Sequence, residues 1–119
     1  MEKIIILLMQ SRTLVHTYHL KAKNLAPHLA LDELYNALTD HIDDLTEVYQ
    51  GFAERLLDLN SYPGFTVDDD PLGQVREIAS AIESMRNQIT PNCSTIQNMI
   101  DEALQTLYKT KYKLMFLPI

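Results

Sequence analysis

The chain lacks a second cysteine, so Cys93 has no internal disulfide partner. That fits a reducing compartment. Positive charge is scarce as well. Ten Lys and Arg against sixteen Asp and Glu leave a net charge of −6, which disfavours nucleic acid, whose affinity rests on neutralising phosphates. A long apolar run is also missing. The strongest is IIILLM at residues 4–9, far short of the roughly 20 residues a bilayer requires. One Lys precedes it, and polar QSRT follows without a small-residue cleavage site. It therefore reads as the start of a buried helix, not as a signal peptide, and no membrane partner is expected. There is no segment with strand periodicity, no internal repeat and no low-complexity stretch. What remains, 119 residues with 46% apolar and 22% charged, is the composition of one soluble globular domain, 1–119.

Helical periodicity fills that domain. Residues 3–23 keep apolar positions on one side and contain neither proline nor glycine. NLAP breaks the run, with Pro27 suited to the first turn of a second helix. From there to about Leu59 a stripe of Leu31, Leu34, Leu38, Ile42, Leu45, Tyr49, Phe52 and Leu56 recurs at steps of three and four, predicting one long amphipathic helix. NSYPGFTVDDDP is a loop by its turn residues, and Asp70 before Pro71 predicts a helix start. Val75, Ile78, Ala79, Ile82 and Met85 mark the third helix. TPNC ends it, and Ser94 with Gln97 has the form of a capping box. Ile96, Met99, Ile100, Ala103, Leu104, Leu107 and Tyr108 mark the fourth. Two short connections and one longer one read as an all-α four-helix bundle. The apolar end LMFLPI is expected to be buried, on its own bundle or on a neighbour.

The chemistry gathers in residues 16–51. All four histidines lie there, His16, His19, His28 and His41, beside Asp32, Glu33, Asp40, Asp43, Asp44 and Glu47. On the second helix His28, Asp32, Asp43 and Glu47 share a side distinct from the core stripe, within roughly 100° of one another. His28 and Asp32 are one turn apart, as are Asp43 and Glu47, so each pair could grip one metal ion. They cannot share one within a chain, because about 16 Å of helix separates Asp32 from Asp43. Two copies of the helix crossing antiparallel near Asn36–Thr39 would bring the first pair of one chain to the second pair of the other. Symmetry then makes two equivalent sites. His16 and His19, three residues apart near the end of the first helix, share a face. Mixed imidazole and carboxylate ligation suits iron, manganese or zinc.

This arrangement resembles the Dps proteins, the ferritin-like mini-ferritins, whose iron sites lie between two-fold related subunits. Their motif of a first-helix histidine, a second histidine followed four residues later by an acid, and D-x-x-x-E is similar to His16, His28, Asp32, then Asp43 and Glu47 in DDLTE. YHLKAKNLAPH resembles the family's His-Trp segment and would select His19 as the first ligand instead. The stretches HL…H.AL..LY and IDDLTEVYQG are similar to small ferritin-like proteins of tailed phages, a version that also favours His19. The resemblance implies a ferritin-like bundle that binds iron (Fe2+/Fe3+) and oxidises Fe(II) with peroxide or dioxygen. His19 or His16, with His28, Asp32, Asp43 and Glu47, would be the catalytic ligands. It further implies self-association as a two-fold dimer or larger ring or shell, iron storage, protection against oxidative damage, and a cytoplasmic or virion setting. Departures from the family are specific. Thr46 and Val48 stand where Ala and Arg usually flank the glutamate. The third and fourth helices are short for a cage, no lysine-rich N-terminal arm supports DNA binding, and no histidine has Glu three residues before it, so the Glu-x-x-His di-iron motif is absent.

Bland readings stand beside these. An acidic stripe on a long helix is usually a solvated face, which covers Glu33, Asp40 and Asp44. His41 lies near the core stripe and reads as structural; Glu54 reads as exposed or as a neighbouring ligand. Met85, Met99 and Met115 fit a core. The alternative function is a non-enzymatic oligomeric structural component, phage-associated, with a structural or vestigial metal. A DNA-compacting role is disfavoured by the charge.

Overall fold

The computed structural model describes residues 1–119 as four α-helices without a strand: α1 Glu2–Lys21, α2 Leu25–Ala53, α3 Pro71–Arg86 and α4 Ser94–Phe116. None is long and apolar enough to cross a membrane. On α1 the steps of three and four put Ile4, Ile5, Leu8, Leu14, Val15 and Tyr18 inside. Ser11, buried beside them, donates its hydroxyl to the Leu7 carbonyl at 2.6 Å, so its burial leaves no donor unmet. α2 buries Leu31, Leu34, Leu38, Ile42 and Leu45. At 1.5 Å per residue its 29 residues run the 45 Å length of the molecule. α3 contributes Val75, Ile78, Ala79 and Ile82, and α4 contributes Ile96, Ile100, Ala103, Leu104 and Leu107. These side chains form one core.

α1 packs on α2 and α3, and α4 packs on the same two, while the diagonal pairs face each other only across the core. Short turns make α1/α2 and α3/α4 antiparallel. Residues 54–70 cannot be a hairpin turn, because α3 begins at the far end of the bundle from the end of α2. The crossover is pinned along α1 from start to finish. Arg55 meets Glu2 at 2.7 Å, Gln10 donates to the Pro63 carbonyl, the Tyr18 hydroxyl donates to Asp68, and Lys21 meets Asp69 at 3.3 Å. Burial first, then the Asp68 carboxylate, pushes the Tyr18 phenol well above its ordinary range, while the same hydrogen bond holds Asp68 below its own.

Three expectations are corrected. α2 stops at Ala53, not near Leu59, with Glu54 in the left-handed region at φ 54. That turn swings Leu57 into the core, its amide held by Gln50 Oε1 at 3.0 Å, and leaves Phe52 and Leu56 57% and 80% exposed. Ser94 and Gln97 form no capping box, since the helix N-cap is Cys93. Gln97 is buried instead and donates to the Arg86 carbonyl at 2.8 Å and to that of Ile89, closing the end of α3. Tyr108 and Met115 are exposed at the rim of the α3–α4 seam, with the Met115 sulfur 3.6 Å from the Arg76 guanidinium. Of the apolar C-terminal end, Leu114 packs against the core, while Phe116, Leu117 and Ile119 are exposed on the single chain. By contrast, Asp70 caps α3 as expected, accepting from the Gly73 amide at 3.0 Å with Pro71 at the first helical position.

Candidate metal site

The turn Ala22–Asn24 folds the last turn of α1 back against the first turn of α2, and this brings His19 to His28. The two residues clasp each other. His19 Nδ1 lies 2.9 Å from the His28 carbonyl, and His28 Nδ1 lies 3.0 Å from the His19 carbonyl. A carbonyl oxygen only accepts, so each Nδ1 carries the proton and donates it. In the neutral rings both lone pairs are therefore on Nε2. The rings stack with centroids 4.0 Å apart and planes 24° from parallel. The His28 Nδ1–H bond thereby supplements the long 3.4 Å bond that the His19 carbonyl accepts from the Ala22 amide at the end of α1. His19 Nε2 faces Asp32, with 3.8 Å to the nearer carboxylate oxygen. Fixing one ring nitrogen on a carbonyl so that the other is free and aimed is the support that metal-binding histidines have.

His16 belongs to the same stack but not to the clasp. Its ring is 6.2 Å from that of His19 and 4.2 Å from that of Tyr35 on α2. Tyr35 in turn receives a long hydrogen bond from Arg12 at 3.4 Å, and the guanidinium lies 5.4 Å from the ring centroid. Sequence reasoning missed Tyr35 and Arg12. The available signal was that Tyr35 follows His28 by seven residues, two turns on, and so lies on the flank of α2 that faces α1.

Asp43 and Glu47 are at the other end of α2 and are exposed. They border a shallow cleft of about 330 Å³ with Ile5, Met9, Thr46 and Gln50. The Thr46 hydroxyl is buried there without a partner. The structure thus joins His16, His19, His28 and Asp32 at one corner and leaves Asp43 and Glu47 apart. No three His, Cys, Asp or Glu side chains of the single chain converge to hold a metal ion. The flanking residues have other occupations. His41 Nε2 meets the Thr106 hydroxyl at 2.8 Å, Glu33 pairs with Lys113, and Glu54 forms the left-handed end of α2. Asp40 and Asp44 face solvent.

The model of a protein family described as "Family of unknown function (DUF5856)" matches residues 19–114, from the clasped His19 almost to the end of α4. The chain is also similar to an "Uncharacterized 14.6 kDa protein in mobD-ri intergenic region" of Enterobacteria phage T4. The two are 28% identical over 108 residues, which is 91% of this chain and 82% of that protein. No solved structure matches.

Proposed function

The chain belongs to the DUF5856 family, and we propose that it is a Dps-like protein that binds Fe(II) at two sites shared across a two-fold dimer and oxidises it there. The observation that carries this reading is the His19–His28 clasp, which leaves both Nε2 atoms free and sets that of His19 beside the Asp32 carboxylate. A hydrogen-bonded pair serving only to close the α1–α2 turn would not need an acid facing the unused nitrogen. The clasp supports His19 over His16 as the ligand from α1, since His16 is stacked on Tyr35 instead. A second copy crossing α2 antiparallel would supply Asp43 and Glu47, which are exposed and without a cation of their own. The long crossover between α2 and α3 supports a ferritin-like topology, the bundle class with one such connection.

Iron is the substrate here. Imidazole nitrogen suits the ferrous ion, and carboxylate oxygen favours the harder ferric product, so the mixed set lowers the cost of oxidation. Two Fe(II) give up two electrons, and one peroxide takes them with two protons to become two waters. Removing both reagents together limits hydroxyl-radical damage. Manganese or zinc would fit the same donors. The likeness to a phage protein supports a phage-encoded chain acting in host cytoplasm or carried in a virion.

A second reading has its own observation. Since no three ligands converge in one chain, the fold could serve as a non-enzymatic oligomeric component, with the clasp as a polar corner. Anaerobic Fe(II) titration, then oxidant, with solution mass measured on the same sample, separates the two. Saturation near one or two irons per chain on a dimer or larger ring or shell, with oxidation faster than in buffer, is expected. A stable oligomer without iron binding would leave the structural reading standing.

A further inference from the structure

α1 and the crossover do not close completely on each other. Between them lies an open cleft of about 350 Å³, walled by Met9, Gln10, Arg12, Tyr62, Gly64 and Phe65. That is the lower end of the size range for small-molecule sites. Its apolar surface comes from Met9 and the two rings, Tyr62 and Phe65, each a little under half exposed. Two of its polar groups are already engaged. The Gln10 amide donates to the Pro63 carbonyl, and the Tyr62 hydroxyl lies 3.8 Å from the Met9 sulfur. Both contacts brace the walls.

Arg12 is different. Among the other arginines, Arg55 and Arg86 are matched to the carboxylates of Glu2 and Asp101, and Arg76, away from this cleft, lies 3.6 Å from the Met115 sulfur. Arg12 has no acid partner in a chain of net charge −6. Its contacts are the 3.4 Å bond to the Tyr35 hydroxyl and the face of that ring. A guanidinium carries five N–H donors in a fixed fork, so most of this one is left for an acceptor from outside the chain. Half-burial against an aromatic ring strips part of its water, and that strengthens a charge-assisted bond to an anion.

We propose that this cleft is a binding site for a small organic anion, a flat apolar body bearing one carboxylate. The carboxylate takes the fork of Arg12, and the body lies against Phe65, Tyr62 and Met9. Benzoate is the probe, followed by calorimetry or by chemical shifts on the full chain. Benzyl alcohol carries the body without the charge, and inorganic phosphate the charge without the body. The expected result is saturable binding of one benzoate per chain, with both controls at least about tenfold weaker. Arg12→Gln loses at least about tenfold, and Arg12→Lys, which keeps charge but not the fork, falls between. Phe65→Ala weakens benzoate while leaving the response to phosphate unchanged, and circular dichroism verifies that each variant is folded. No saturation by about 10 mM benzoate, an affinity far below what such a cleft offers, overturns the proposal. So does equal binding by folded Arg12→Gln. Neither outcome touches the iron reading, whose ligands lie outside the cleft.

Discussion

Glu2 accepts from the Arg55 guanidinium at 2.7 Å and from the Asp58 amide at 3.4 Å, and these contacts, Arg55 foremost, lower its carboxyl from the ordinary 4.5 to about 2. A carboxyl depressed by folding contributes stability above its unfolded value and loses it as pH falls through the folded one. The contribution of Glu2 is thus complete above about pH 4.5 and gone near pH 2. Thermal unfolding of Glu2→Gln should run below wild type at neutral pH and converge on it across that window; a constant offset down to pH 2 would disprove the linkage. At the other end of the same connection, Tyr18→Phe removes the donor to Asp68. About 1 kcal/mol is the expected loss, with faster amide exchange confined to residues 54–70 as its signature. The intervals among His28, Asp32, Asp43 and Glu47 are legible in the sequence because they lie along a single helix. The reciprocal clasp of His19 and His28, and Tyr35 stacked on His16, depend on how the α1–α2 turn closes. Linear spacing does not encode that.

At the scale of elements, the start of α3 is local and therefore readable. Asp70 accepts from the Gly73 amide at 3.0 Å, and Pro71 supplies a pre-set φ. Gly73 is required by that cap, because a Cβ there would sit 2.1 Å from Asp70 Oδ2. Two substitutions should therefore couple with a change of sign. Asp70→Ala alone should cost about 1 kcal/mol. Gly73→Ala alone should also destabilise, by driving the carboxylate off the amide. Once Asp70 is already Ala, Gly73→Ala should gain up to about 1 kcal/mol from helix propensity. Denaturant midpoints of the four proteins measure this, and simple additivity would show that the cap does not need the glycine. Where an end depends on a distant element, the sequence is silent. Gln97 has the spacing of a capping partner for Ser94 but donates instead to the carbonyls of Arg86, the last residue of α3, and of Ile89 just beyond it. α2 keeps its periodic stripe beyond Ala53, yet Glu54 ends it because Leu57 has a place in the core that Leu56 cannot reach.

Across the whole molecule, the crossover makes α2 parallel to α3 and leaves the outer face of α2 open along its length, with the histidine corner at one end and Asp43 and Glu47 at the other. A site assembled from both ends requires two chains, and this has a consequence no single-chain site shares. His28→Ala and Glu47→Ala should each abolish Fe(II) oxidation, since every site in either homodimer lacks one ligand. Mixed and allowed to exchange, the two chains form heterodimers in which one site carries both lesions and the other carries none. With random pairing, about a quarter of all sites are restored. Fe(II) oxidation by the equal mixture should therefore recover to about a quarter of wild type, while each variant alone stays at the level of buffer. Pairing His28→Ala with Asp32→Ala, two changes in the same half of the site, should restore nothing, because every site in that heterodimer still lacks a ligand. Equal recovery in both mixtures would show that it does not come from joining an intact histidine half to an intact acidic half, and would overturn the shared site. No recovery in either, with subunit exchange verified by mass, would mean that the histidine corner and the acidic end of α2 never meet.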